Sequence, residues 1–107
     1  MNERYVSSYW VRGISFRNLP EVSIKFGDEV IHTPEPDNEY DANAIKLTVG
    51  DTHIGYMPKE LCIPYKESNM SIAGYVCEIK LQDALIVGLN IVVSGENYLP
   101  KQKKVQQ

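Results

Sequence analysis

The residues of this 107-residue chain best suited to chemistry lie in one segment, HTPEPDNEYDANAIKL, from His32 to Leu47. Four carboxylates, Glu35, Asp37, Glu39 and Asp41, stand there beside Asn38, Asn43 and a central Tyr40. Such a set can hold a cation, move protons, close turns or grip a polar ligand. Calcium fits poorly. Asp37, Glu39 and Asp41 have the i, i+2, i+4 spacing, but Ala42 stands where the sharp turn needs glycine, and the twelfth position falls on Thr48 instead of a bidentate glutamate. Zinc fares no better, because His32, His53, Cys62 and Cys77 are single and widely spaced, without paired ligands. The sequence contains no nucleophile elbow, no phosphate loop and no dinucleotide fingerprint. Carboxylates in a solvated turn rarely do acid–base work, so nothing argues for catalysis.

A purely structural reading explains part of the segment. Proline, aspartate and asparagine make turns through fixed φ or local side-chain hydrogen bonds. Asp41 and Asn43 suit the capping of backbone amides, and Tyr40 has the option of folding back onto the body of the protein.

The elements that must position this segment are mostly strands. Alternation in YVSSYWVRGISF (Tyr5 to Phe16) puts Trp10, Ile14 and Phe16 on one side, with Trp10 expected in the core, and Tyr9 and Val11 on the other. EVSIKF alternates Val22, Ile24 and Phe26, and EVIHT follows the Gly27-Asp28 turn. NAIKLTV and THIGYM flank Gly50-Asp51 as a hairpin. IAGYVCEIKL and ALIVGLNIVV flank Gln82-Asp83 as another, the latter apolar enough for burial on both faces. PKELCIPYKESN is the one helical signal, opened by Pro58 and stopped or kinked by Pro64 after about one and a half turns, with room for a second short turn. Gly13, Gly55, Gly74 and Gly88 fall inside strand patterns, where barrels use glycine to bend. The expected fold is mainly β: a six-stranded, OB-like β-barrel with one or two short helices.

Length allows one domain over residues 1–107, with a core of about 5–93 and a polar, solvated tail at 98–107 that contains KQKKVQQ. No apolar run is long enough for a membrane helix. MNERYVSSYW lacks the apolar stretch of a secretory signal, and two cysteines make no disulfide framework, so the cytoplasm with reduced thiols is the expected compartment. The net charge of −3 argues against nonspecific coating of duplex DNA and confines any nucleic-acid role to a small local site.

EPDNEYDANAI followed by HIGYMPKEL resembles the signature of HIRAN domains. The matching residues are Glu35, Pro36, Asn38, Tyr40, Asp41, Asn43, Ala44 and Ile45, then Ile54, Gly55, Tyr56, Met57, Lys59 and Glu60. The resemblance implies a modified OB-like barrel that binds single-stranded DNA and prefers a free 3′-hydroxyl end. It implies no cofactor. Larger relatives join the domain to helicase-like ATPases that remodel stalled forks, or to nucleases, so DNA repair, replication or restriction is the implied setting and a helicase or nuclease the implied partner protein.

Residue chemistry agrees with a strand terminus. Tyr40 offers a base a stacking platform. Lys59, in the first turn after Pro58, can meet a phosphate that also faces the helix amides. A carboxylate at Asp41 repels a phosphodiester but accepts a charge-assisted hydrogen bond from a terminal hydroxyl. Asn38 either bonds the sugar or terminal base or closes the turn; Asn43 belongs to the turn. Tyr56 either stacks or touches phosphate, or is a surface aromatic of the barrel. Relatives carry an arginine–aromatic pair early in the first strand. Here VRGISFRN supplies Phe16, but Ser15 takes the arginine's place, leaving Arg12 or Arg17 to substitute. CEIKLQD is a polar hairpin without the aromatic that relatives often add. Weak, salt-sensitive binding or a shifted specificity is expected. The alternative function is a protein-interaction adaptor that keeps the barrel and has little DNA affinity, favoured by the acidic balance and the missing arginine.

Overall fold

The structure is a computed structural model that describes residues 5–67 and 73–95. Six strands form one antiparallel sheet: β1 (Tyr5–Trp10), β2 (Glu29–Pro34), β3 (Ile45–Val49), β4 (Thr52–Tyr56), β5 (Ala73–Gln82) and β6 (Leu85–Gly95). Helix α1 (Lys59–Glu67) lies between β4 and β5. Two 3₁₀ turns, Ile14–Phe16 and Glu21–Ser23, fill the long β1–β2 connection. The sheet order is β1-β6-β5-β2-β3-β4. Its two edges meet where Arg12 and Tyr56 form an antiparallel bridge with two backbone hydrogen bonds of 2.9 Å each. The architecture is the expected mainly β, OB-like curled sheet.

The concave side of the sheet holds the core. Ile24, Ile45, Leu47, Ile54, Val76, Leu89 and Ile91 are essentially inaccessible. Each such side chain contributes about 1.5–3 kcal/mol by leaving water. Cys62 and Leu61 bring the inner face of α1 onto the same cluster. Pro64 does not stop the helix, which runs through it as nine residues. A proline there removes one backbone bond, the one to the Glu60 carbonyl. Glu60 and Pro64 line a solvent-open cleft, so water can serve that carbonyl. The second short turn suggested after α1 falls partly on residues outside those described, as does the tail at 98–107.

Several expectations are corrected. The first strand ends at Trp10, because Gly13 turns the chain with φ 75° into the 3₁₀ turn that holds Ile14 and Phe16. The inward residues are Tyr9, in the strand, and Val11, just beyond its end, whereas Trp10 is 39% exposed and Phe16 lies on the surface. Tyr9 wins the interior because its hydroxyl bonds His32 Nε2 at 2.8 Å, which removes the cost of burying a phenol. EVSIKF is not a strand. The Ser23 hydroxyl bonds the Pro20 carbonyl and the Asp28 carboxylate takes the Lys25 amide, so local turn chemistry outcompetes a ladder and leaves Val22 and Phe26 exposed. The β5–β6 turn sits one residue later than expected, on Asp83 and Ala84 with φ 53° and 64°. Strand β6 is not buried on both faces throughout: Leu85 and Val87 are exposed at the hairpin end.

Candidate functional site

The β2–β3 connection, Glu35 to Ala44, is held by its own side chains. The Glu35 amide bonds the Ala44 carbonyl at 2.9 Å, pinching the loop at its base. Above it, Asn38 Oδ1 accepts the amides of Tyr40 (2.8 Å) and Asp41 (3.0 Å), and Asn38 Nδ2 donates to Glu35 Oε1 at 3.1 Å. Asp41 Oδ1 accepts the Asn43 amide at 2.9 Å. Asn38 and Asp41 therefore both act as turn-makers, the Asx pattern that these residue types favour. The Tyr40 ring does not fold back onto the body of the protein. It stands 89% exposed.

Opposite the loop stands the β4–α1 junction. Met57 hydrogen-bonds through its amide to the Ile45 carbonyl, and Leu61 closes the first helical turn on Pro58. That places Lys59 and Glu60 at the open N-terminal end of α1, facing the loop. Between the two lies a cavity of about 380 Å³ lined by Arg12, Asn38, Tyr40, Asp41, Tyr56, Lys59 and Glu60 around a floor of Ala44, Met57 and Cys62. A second cleft of about 480 Å³ continues from it over Asp41, Asn43, Lys59, Glu60, Ile63 and Pro64. The first volume falls within the roughly 300–1,000 Å³ typical of small-ligand sites.

Six of the eight residues singled out in the sequence share that cavity: Arg12, Asn38, Tyr40, Asp41, Tyr56 and Lys59. Phe16 and Arg17 do not line it. Phe16 is 78% exposed on the 3₁₀ turn, and the Arg17 guanidinium donates from Nη1 to His53 Nδ1 at 2.7 Å. His53 packs edge-on against Tyr56, with ring centroids 5.1 Å apart, so Arg17 sits one side chain removed from the cavity wall.

The wall has its own electrostatics. The Tyr56 hydroxyl donates to Glu35 Oε1 at 2.9 Å. Hydrogen bonds from Asn38 and Tyr56, with Lys46 and His53 nearby, outweigh burial and hold the Glu35 carboxyl below its usual range. Burial and the same bond to Glu35 push the Tyr56 phenol up. His53 is pulled below its ordinary value by burial and then by the Arg17 charge. Sequence reasoning gave Glu35, Lys46 and His53 no role here. Glu35 lay within the motif, but nothing in spacing ties Arg17 to a histidine 36 positions away. Among the described residues, no group of histidine, cysteine, aspartate and glutamate is disposed to hold a metal ion. No helix there is long and apolar enough to cross a membrane.

Solved structures share this architecture. The chain is 22% identical to the HIRAN domain of human HLTF in its crystal structure, covering 88% of this chain and 81% of that one with a TM-score of 0.59. A Lactobacillus plantarum protein is 20% identical over 88% of this chain and 98% of its own, with a TM-score of 0.64. The HLTF HIRAN domain in its DNA-bound conformation is 23% identical over 86% and 76%, with a TM-score of 0.56. Among curated proteins none matches the chain. Residues 5–94 match the pattern of the HIRAN domain, and the chain belongs to that family.

Proposed function

We propose that this protein is a non-catalytic module that binds single-stranded DNA and captures the 3′-hydroxyl end. The observation that carries the proposal is the convergence of Tyr40, Asp41 and Lys59 on one cavity. Each meets a different part of a terminal nucleotide. The exposed Tyr40 ring stacks on the last base, a sequence-tolerant contact worth about 1–3 kcal/mol. Lys59 and the first-turn amides of α1 attract the phosphate that precedes the last sugar. Asp41, fixed by its bond to the Asn43 amide, accepts from the free hydroxyl. A HIRAN domain solved in a DNA-bound conformation supports DNA as the ligand class.

Discrimination comes from charge. A hydroxyl facing Asp41 gains a charge-assisted hydrogen bond of about 1.5–3 kcal/mol. A 3′-phosphate would instead bring two anions together in a partly enclosed space. Fluorescence-anisotropy titration at low salt, comparing one labelled oligonucleotide with 3′-hydroxyl and 3′-phosphate ends, tests this. The expected preference for the hydroxyl is tenfold or more, since about 1.4 kcal/mol is a factor of ten. Asp41→Ala abolishes that preference and Tyr40→Ala weakens both ends alike. Absence of binding at any salt, together with a protein that co-purifies with this one, would favour the adaptor reading. The helicase or nuclease setting belongs to the same proposal and is tested by which proteins accompany it in a pull-down.

A further inference from the structure

Arg17, beside the site, has a neutral side-chain partner. Its guanidinium is exposed, at the C-terminal end of the Ile14–Phe16 turn, and meets His53 Nδ1 at 2.7 Å. Because Arg17 can only donate, Nδ1 is the acceptor and the ring proton sits on Nε2, which donates to the Gly55 carbonyl at 3.1 Å. The Tyr56 ring braces the imidazole from the side. Both ring nitrogens and one edge are thus engaged, and the imidazole is a fixed acceptor.

A carboxylate in that position would hold Arg17 equally well but cancel its charge. A neutral imidazole orients the guanidinium and leaves the full positive charge, with the remaining N–H donors, for something else. The surroundings favour an anion. Tyr56 pairs in register with Lys46 on β3 and with Arg12 across the sheet edge, so Arg12, Arg17 and Lys46 gather around one tyrosine in a chain of net charge −3. Among the described residues Glu35 is the one carboxylate acting on His53, and it is occupied by Asn38 and Tyr56.

We propose that His53 is a positioning residue that presents Arg17 as a subsite for a backbone phosphate of single-stranded DNA, upstream of the nucleotide held in the cavity. The inference rests on the DNA-end reading above and adds the path of the strand: out of the cavity, across Tyr56, to Arg17 and the exposed ring of Phe16. Histidine here binds no DNA itself. It removes the freedom of a long side chain before the ligand arrives, so less ordering is left to association.

The salt dependence of binding separates this role from a structural one. For single strands, log K falls with log salt by about 0.7 per phosphate contact. With a 3′-hydroxyl oligothymidylate, Arg17→Ala lowers the slope by about 0.7. His53→Ala removes no charge and yet lowers it equally, His53→Gln restores it through an amide oxygen that accepts from Arg17, and the double variant behaves as Arg17→Ala alone. A wild-type slope in His53→Ala, or additive losses in the double variant, overturns the inference. Should His53→Ala fail to fold, a methylphosphonate scan of the oligonucleotide replaces it. One neutralised phosphate that weakens wild-type protein but not Arg17→Ala supports the subsite, and equal losses in both overturn it. End-selective binding that depends on Asp41 while ignoring these changes sinks the Arg17 subsite alone; no DNA binding by the wild type sinks both.

Discussion

Gly55→Ala tests the join on which both barrel and site depend. Gly55 has φ 142°, a region that L side chains rarely adopt. A Cβ there would stand 2.4 Å from the Arg12 carbonyl oxygen and 2.5 Å from Val11 Cγ1, about 1 Å short of ordinary contact. The obstacle is partly backbone, so it cannot be relieved by a rotamer change alone. Strand β4 must move away from Arg12, at the point where the sheet edges share two 2.9 Å hydrogen bonds. Losing those bonds costs about 1 kcal/mol each. The unfavourable backbone region costs about 1–3 kcal/mol more. The expected destabilisation is about 3–5 kcal/mol, a large part of the roughly 5–15 kcal/mol that holds a domain together. Urea unfolding followed by the fluorescence of Trp10, the single tryptophan, measures it. Gly50→Ala is the matched control. Gly50 has φ 57° and nothing within 4 Å of its would-be Cβ, so that variant carries backbone strain without a clash. If Gly55→Ala is no less stable than Gly50→Ala, the close approach of β4 to the Val11–Arg12 segment is wrong, and with it the account of how Arg12 and Tyr56 come to face one cavity.

Other expectations can be measured alongside it. His32, bonded to Tyr9 and stacked on Tyr65, is depressed by burial from 6.5 to about 4. Between those values the unfolded chain binds a proton that the folded one refuses. This contribution is therefore complete above about pH 6.5, is lost as pH falls toward 4 and levels off below, with a span of about 3 kcal/mol. Denaturant melts across pH 4–7 should show a rising limb that flattens in His32→Gln. Trp10→Ala should cost only about 1–2 kcal/mol, since the ring lies over Gly88 with Lys80 Nζ 4.6 Å from its centre and keeps 39% exposure; the wholly buried Leu89→Ala should cost about 2–5 kcal/mol in the same melts. Ala84→Gly should raise stability by about 0.5–1 kcal/mol, because Ala84 sits at φ 64°, where a Cβ is penalised by more than glycine's entropy.

How far the sequence could be read depended on how local each interaction was. The β3–β4 hairpin was legible because Gly50 marks the turn between two alternating runs. The β5–β6 turn slipped by a residue because Ala84 takes a left-handed conformation that alanine does not advertise. Alternation in the first strand was visible but its inward side was not. Trp10 is the larger hydrophobe, yet Tyr9 is the one with a hydrogen-bond partner inside, and that partner is 23 residues away. The same distinction runs through the site. Tyr40, Asp41 and Lys59 come from two contiguous motifs and meet at one cavity. The link from Arg17 to His53 joins separate parts of the chain, and no spacing rule encodes it.

Asn38 shows why the structural and functional readings of the acidic segment do not compete. Its amide oxygen already accepts two backbone amides and its nitrogen already donates to Glu35. An asparagine side chain has two donor hydrogens and one acceptor oxygen, so little capacity is left for reading a sugar or a base. Of the two roles weighed for it from the sequence, turn closure is the one its hydrogen bonds fill. The two amides it holds are those of Tyr40 and Asp41, so the turn fixes where the exposed ring and its neighbouring carboxylate stand. Through Glu35 the same turn is tied to the Tyr56 hydroxyl on the opposite wall. Turn-forming residues crowd this segment because the ring and the carboxylate must be held rigidly on a loop that contributes little to the core: of its residues only Ala44, at its base, is buried.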